Sequence, residues 1–148
     1  MPETRSLAAT LSHALRGTSG NVGAHALDAA ARAALEQAQR PVVEAAEGTF
    51  GAVVGTVGEG SLVEPLRAMA ERCVEGGVVA LVVPRAREGL SGALGRVLAM
   101  GNRARAPRET TEVCAAMLAA GLVELEVRDV AGPRGLCVVR GVVGTRLA

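Results

Sequence analysis

The sequence contains no lysine, isoleucine, tryptophan or tyrosine, and Phe50 is its only aromatic residue. Base-stacking surfaces and aromatic cages for quaternary ammonium groups are built from several aromatic side chains, so this chain has almost nothing from which to make them. All sixteen basic residues are arginine, and alanine, glycine and valine are abundant. Such a composition is typical of a GC-rich bacterial genome.

The chain also lacks an excess of positive or negative charge. The sixteen arginines are balanced by fifteen acidic residues, which leaves a formal net charge of +1. The arginines are spread from Arg5 to Arg146 without a dense block. Proteins that bind the phosphate backbone of a nucleic acid concentrate positive charge on one surface, so we expect no nucleic-acid partner.

Cysteine and histidine are scarce. Cys73, Cys114 and Cys137 are odd in number and widely spaced, and His13 and His25 are the only histidines. This set predicts neither a disulfide framework nor a zinc site. Each cysteine lies in an apolar pattern, which favours a reduced thiol packed as a small hydrophobic group over a reactive one.

Long apolar runs are absent as well. No stretch reaches the ~18 apolar residues of a transmembrane helix, and the amino terminus lacks the apolar region of a signal peptide. We therefore expect a cytoplasmic protein without a membrane contact. A chain of 148 residues is the size of a single domain with one core.

Residues 1–40 predict two helices joined by a glycine-rich turn. Apolar residues recur at helical spacing in two groups: Leu7, Leu11 and Leu15, then Leu27, Ala31, Ala34, Leu35 and Ala38. The turn covers residues 17–23, and Pro41 follows the second helix.

Residues 50–83 predict a strand, a helix and a second strand. The runs at 50–57 and 78–83 are short, apolar and rich in valine, as buried parallel strands are. Between them, residues 62–75 have one apolar stripe, with Ser61 as the expected cap and Gly76 and Gly77 as the expected stop. This order predicts a βαβ unit.

The remaining residues predict two helices and a hairpin. Leu90, Leu94, Val97 and Leu98 mark one helix, and a basic loop at 103–108 follows it. A second helix begins near Pro107, buries Val113, Ala116, Met117 and Ala120, and ends at Gly121. Residues 123–128 alternate between apolar and charged side chains, and 136–143 form a more apolar strand after the turn at 132–135, so the two predict an antiparallel hairpin.

Three segments resemble class I S-adenosylmethionine-dependent methyltransferases. Residues 48–54 (GTFGAVV) look like the fourth strand of that family, residues 66–84 like its next helix, glycine turn and fifth strand, and residues 119–130 (AAGLVELEVRDV) like its transition into strand six. The resemblance covers about 48–143 and matches the carboxyl-terminal half of the family. It implies one α/β domain over 1–148, a three-layer partial Rossmann-like sheet with a terminal antiparallel hairpin, preceded by the helical segment 1–40.

Two features of the resembled family are not visible in the sequence. One is a glycine-rich loop that follows a strand and faces the cofactor, and the other is an acidic residue at a later strand end that holds the ribose. The glycines at 17–23 follow a helix, so we interpret them as a turn, with a cofactor loop as the alternative. The family usually has Asp at the position of Gly51. We therefore expect this segment to lack the group that would abstract a proton or orient the substrate near the cofactor.

Other polar residues give weak indications. His13 and His25 converge if the two amino-terminal helices pack antiparallel, with Asp28 one helical turn beyond His25, although a surface pair is the simpler interpretation. Arg103, Arg105 and Arg108 suit either an oxyanion clamp or a solvated loop. Ser19, Thr56, Ser61 and Ser91 have no neighbouring base in the sequence, which gives a hydrolase no support. We assign no catalytic, cofactor-binding or metal-binding residue.

These observations favour a non-catalytic, methyltransferase-like regulatory or interaction module without a cofactor. The resembled family has three further strands beside the strand at 50–57, so we expect an open edge on that strand. The two amino-terminal helices, a second copy of the chain or another protein could cover this edge, and a self-paired dimer is a natural solution. The alternative is a divergent methyltransferase that uses S-adenosylmethionine, with 41–45 as a remnant strand. A third interpretation is a small-molecule module with a cleft at the strand ends near Thr56 and Val83.

Overall fold

The computed structural model describes residues 6–56, 60–84, 110–130 and 135–144, which form a six-stranded sheet covered by helices on both faces. The predicted α/β class is confirmed. The elements, in chain order, are α1 (Leu7–Ala14), β1 (Val22–His25), α2 (Ala29–Gln37), β2 (Val42–Glu44), β3 (Phe50–Thr56), α3 (Val63–Glu71), β4 (Cys73–Pro84), α4 (Thr110–Ala119), β5 (Leu122–Asp129) and β6 (Leu136–Val143).

Strand alternation divides the core between the two faces of the sheet. In β3, Val53 packs with α3 and α4, whereas Val54 packs with α1 and α2. Residues of β4 alternate in the same way, with Val79, Leu81 and Val83 on the first face and Val78, Ala80 and Val82 on the second. Because helices cover both faces, these two strands are apolar at nearly every position, as the sequence indicated.

The strand order is β2-β1-β3-β4-β6-β5. The first four of these strands run parallel, and β6 lies antiparallel between β4 and β5. The predicted carboxyl-terminal hairpin is therefore confirmed. Its edge strand is irregular, because the register shifts between Val123 and Glu126 and Glu124 has a φ of +52°.

The amino-terminal forty-five residues contain two strands, of which the sequence analysis missed β1 and considered β2 only under the methyltransferase alternative. Both predicted helices are present, but the connection between them ends in β1, and the remnant strand considered at 41–45 is β2. Gly17 and Gly20 do lie in a turn, with φ of +80° and +81°. Gly23 instead lies within β1, so the prediction of a turn over 17–23 is wrong for its last two residues. A four-residue strand with an internal glycine gives no alternation signal.

A short crossover explains Gly23. Strands β2 and β3 lie on opposite sides of β1 and run parallel to it, yet only residues 45–49 connect them. A Cβ at Gly23 would lie 2.9 Å from Cδ2 of Phe50 and 3.2 Å from Cβ of Ala45. Parallel strands are usually joined by about a dozen residues or more, including a helix. Here the chain passes directly over a strand residue that has no side chain.

The expected open edge beside β3 does not exist. Strand β1 pairs with β3 from Val22 opposite Ala52 to His25 opposite Gly55. The edges of the described sheet are β2 and β5 instead. Where the resemblance implied three further strands next to β3, this chain places two of its own there. The expectation of an open edge at β3 is therefore wrong. Of the possible covers, the amino-terminal segment supplies this one, with strand β1 and not with its helices.

Smaller differences concern the ends of the helices. Helix α3 ends at Glu71, earlier than predicted, and β4 begins at Cys73, so Gly76 (φ +77°) lies inside a strand and does not stop the helix. The residue that caps α3 is Leu62, without a side-chain hydrogen bond, and not Ser61. Helix α4 buries Val113, Ala116 and Met117, and Gly121 follows it with a φ of +89°, as predicted.

The helix predicted at 90–98, the basic loop at 103–108 and the helix start at Pro107 lie outside the described residues. In the part of the chain that the structure describes, no helix is long and apolar enough to cross a membrane.

Candidate functional site

A cleft of about 330 Å³ opens at the carboxyl ends of β3 and β4, on the side of the sheet that α1 and α2 cover. The described part of its wall is mostly aliphatic, and the apolar residues in that part are Leu7, Ala30, Val82, Pro84 and Leu136. Ligands of open α/β sheets bind outside the carboxyl ends of the strands. The volume lies at the lower end of the range of about 300–1,000 Å³ for small-molecule pockets.

Two polar residues, Asp28 and Thr56, complete the described lining. Asp28 caps α2, because its Oδ1 accepts a hydrogen bond of 2.8 Å from the backbone N–H of Ala31. The backbone N–H of Asp28 in turn donates to Oγ1 of Thr56 at 3.0 Å. These two bonds fix the amino terminus of α2 against the end of β3.

This arrangement changes what the amino terminus of α2 offers to a ligand. Backbone N–H groups at such a terminus attract anions when they are free. Here the connection from β1 to α2 consists of residues 26–28, contains no glycine, and places the carboxylate of Asp28 on the first turn. The site therefore presents negative charge where the resembled family presents the amides of a glycine-rich loop.

Glu44 is an acidic strand end that the sequence interpretation overlooked. It is the last residue of β2 and lies opposite Ala24 of β1. Its carboxylate is mostly exposed and forms an ion pair with Arg32 of α2. The statement that no second strand ends in an acid is thus wrong. The available signal was the pair of valines before Glu44, which is too short to identify a strand by its period.

Gly51 does not bear on the chemistry of this cleft, contrary to our expectation. It is the second residue of β3, five positions before Thr56, and strand geometry separates the two by about 16 Å. A Cβ at Gly51 would meet nothing closer than the backbone oxygen of Ser19, at 3.6 Å. Packing does not require a glycine there, and an acid at this position would lie far from the cleft.

The structure separates the two histidines. Nε2 of His13, on α1, lies 3.6 Å from a carboxylate oxygen of Glu126 on β5. His25 ends β1, four strand positions or about 19 Å across the sheet from β5. Asp28 is the cap of α2 and not a partner of His25 on one helix face. Their convergence and the expected His25–Asp28 surface pair are both wrong, because His25 is a strand residue.

Glu126 forms the centre of a charged cluster that no pattern in the sequence predicts. Arg16 of α1 donates to its Oε2 at 2.8 Å, and Nε of Arg128 donates to its Oε1 at 2.6 Å. Arg140 of β6 lies 3.6 Å away. The hydrogen bond from Arg16 contributes most to lowering the pKa of Glu126 to about 2, against the opposing effect of partial burial, and Arg128 adds to it. The cluster joins α1 to the hairpin.

The other candidate residues contribute little to the cleft. Cys73 and Cys137 are buried in the core and Cys114 packs against it, as the apolar patterns indicated. Ser19 lies in a loop beside Gly51, Ser61 precedes α3, and Ser91 lies outside the described residues. Among the residues described, no group of three or more His, Cys, Asp or Glu side chains is arranged to hold a metal ion.

No protein-family model and no curated protein sequence matches the chain. Solved structures do match it. The S-adenosylmethionine-dependent methyltransferase SibL, in its apo form, superimposes with a TM-score of 0.66 at 12% identity over 93% of this chain and 55% of its own. An S-adenosylmethionine-dependent methyltransferase from Thermotoga maritima gives 0.64 at 15% identity over 93% of this chain and 88% of its own. Human N-acetylserotonin methyltransferase gives 0.58 at 12% identity, and this chain spans 34% of its length.

Proposed function

We propose that this chain, which has the fold of the S-adenosylmethionine-dependent methyltransferases, is a non-catalytic regulatory module that binds a small molecule in the cleft at the ends of β3 and β4. One observation carries the proposal. Two backbone N–H groups at the amino terminus of α2 already have partners within the chain, since Ala31 donates to the carboxylate of Asp28 and Asp28 donates to the hydroxyl of Thr56. A cofactor with a carboxylate would meet the negative charge of Asp28 at this terminus.

The lining of the cleft also supports a binding role without catalysis. General acid–base chemistry needs a group that is free to exchange a proton with the reacting atom. Among the described lining residues the polar groups are one hydroxyl and one carboxylate, and the carboxylate already acts as a helix cap. The aliphatic wall suits the hydrophobic part of a small ligand.

Calorimetry with S-adenosylmethionine and S-adenosylhomocysteine tests this proposal. We expect no saturable heat and no methyl transfer from labelled S-adenosylmethionine. Light scattering on the same sample gives the mass, which checks the separate proposal that the chain forms a homodimer or binds a protein partner. For that, the available sheet edges are β2 and β5. Micromolar binding accompanied by methyl transfer would overturn the non-catalytic proposal.

A divergent methyltransferase is the second candidate, and Glu44 favours it. This acid ends the strand next to β1, which is the type of position from which the resembled family holds the ribose. If the cofactor binds, E44Q should weaken binding by tenfold or more, roughly the effect of one charge-assisted hydrogen bond. The matched control is E36Q, an exposed acid on α2 away from the strand ends. Equal binding by both variants would argue against Glu44 as a cofactor ligand.

A further inference from the structure

The cleft has a specific pattern of charge and polarity. Asp28 is the one charged residue among the described residues that line it, and the wall is otherwise aliphatic apart from Thr56. In such a setting a carboxylate interacts more strongly with a charged partner than it would in bulk water. A ligand that complements the described part of this cleft is therefore apolar over most of its surface and positively charged at one end.

The hydrogen bonds within the site leave acceptors for such a ligand. Asp28 uses Oδ1 for the cap of α2, and a carboxylate has two oxygens that each accept more than one bond. The hydroxyl of Thr56 accepts from Asp28 through one of its two lone pairs. The remaining acceptors lie on two residues, Asp28 and Thr56, that are joined by a hydrogen bond. An ammonium group carries three donors that can satisfy them.

We infer that this cleft binds small apolar primary amines in their protonated form, in preference to alcohols or carboxylic acids of the same size. The inference rests on the proposed binding function and names its ligand class. The carboxylate of Asp28 and the hydroxyl of Thr56 hold the ammonium group. The aliphatic wall, which includes Leu7, Val82 and Leu136, covers the hydrocarbon.

Three probes of similar size test the inference at pH 7: 2-phenylethylamine, 2-phenylethanol and 3-phenylpropionate, titrated by calorimetry into the whole chain. We expect the amine to bind about tenfold more tightly than the alcohol, with the acid weakest. Methyl NMR shifts of Leu7, Val82 and Leu136 should locate the amine in the cleft.

Two pairs of variants assign the effect to individual side chains. D28N keeps the helix cap, since Asn caps as well as Asp, and removes the charge. It should abolish the preference for the amine, whereas E36Q on the exposed part of α2 should not. A30L narrows the cleft and should weaken the binding of every probe that binds. Ala33 is exposed one turn further along α2, so A33L should leave the affinities unchanged.

The outcomes separate the inference from the proposed function. Equal affinity for amine and alcohol, or an amine preference that survives D28N, overturns the ligand class and leaves small-molecule binding intact. Binding that A30L and A33L affect equally places the ligand outside the cleft and overturns both. Failure of all three probes to bind also overturns the inference, and S-adenosylmethionine binding in that sample would support the methyltransferase alternative instead.

Discussion

Replacing Glu126 by Gln should destabilise the protein, because one carboxylate balances three guanidinium groups. Arg16 and Arg128 donate hydrogen bonds to it, and Arg140 lies within 3.6 Å. The side chain of Glu126 is 24% exposed. In E126Q the neutral amide leaves these cations facing one another, and the tie between α1 and β5 weakens.

The pKa of Glu126 indicates how much stabilisation E126Q should remove. Lowering the pKa from 4.5 to about 2 corresponds to roughly 3 kcal/mol of stabilisation at neutral pH. Arg16 and Arg128 are 47% and 46% exposed, so solvent screens part of this. We expect E126Q to lower the free energy of unfolding by about 2 kcal/mol and Tm by roughly 7 °C.

The pH dependence follows from the direction of the shift. The pKa of Glu126 is lower in the folded state than in the unfolded state, so its stabilisation is complete above about pH 4.5 and is lost as the pH falls toward 2. Stability of the wild-type chain should therefore decline over that interval more steeply than stability of E126Q. The two curves should converge near pH 2.

Urea unfolding followed by circular dichroism, at pH values from 7 to 2, measures both effects. The control is E64Q, which removes an exposed surface pair with Arg67 and should cost at most about 0.5 kcal/mol. If E126Q unfolds within 0.5 kcal/mol of the wild type at pH 7 and declines equally steeply in acid, the cluster does not stabilise the fold and our reasoning is wrong.

Three further predictions concern stability and use the same assay. G23A should lower the free energy of unfolding by about 1–3 kcal/mol, because its Cβ collides with the crossover. G51A has room for a Cβ and should be neutral or slightly stabilising. Similar losses of stability in both variants would argue against the collision. D28A should lower the free energy of unfolding by about 1 kcal/mol through loss of the cap of α2, whereas D28N should stay within about 0.3 kcal/mol of the wild type. An equal loss of stability in both variants would contradict a capping role. L66A, fully buried under β3 and β4, should cost about 2–5 kcal/mol, and L118A, 59% exposed, less than about 0.5; comparable costs would show that the core is assigned incorrectly.

The parts of the fold with strong periodicity could be predicted from the sequence. Strands β3 and β4 appear as valine-rich runs, α4 as an apolar stripe that ends at Gly121, and the hairpin as an alternating strand before a turn. In each case the local pattern and the tertiary packing agree. The resemblance based on these segments is confirmed by the solved structures that superimpose on the chain.

The missed strands are those whose pattern depends on distant contacts. Gly23 weakens the strand signal of β1, and its reason is the passage of Ala45 and Phe50 over it, which no local pattern reveals. Once β1 was missed, His25 was placed on a helix, and Asp28 became its neighbour instead of the cap of α2. The cleft could be located only in general terms, at the strand ends near Thr56 and Val83.

The partners of Glu126 show a second limit. Arg16 is 110 positions away in the sequence, and only the sheet order brings α1 beside the hairpin. A charge cluster assembled from separate elements has no signature within any one of them. Spacing rules apply within a helix or a strand, so they detect i, i+4 pairs but not this group.

The crossover at residues 45–49 threads the amino-terminal segment into the rest of the domain. After β1 the chain forms α2 and β2 and then returns over Gly23 to start β3. Strand β1 therefore lies between β2 and β3 in the sheet, with the connection at 45–49 passing over it. A fragment that begins at residue 48 would lose the strand that covers β3 and the surface on which Phe50 packs. The methyltransferase-like segment 48–143 is thus one part of an interlocked whole, and dissection of this protein into smaller folded pieces should start elsewhere than at that boundary.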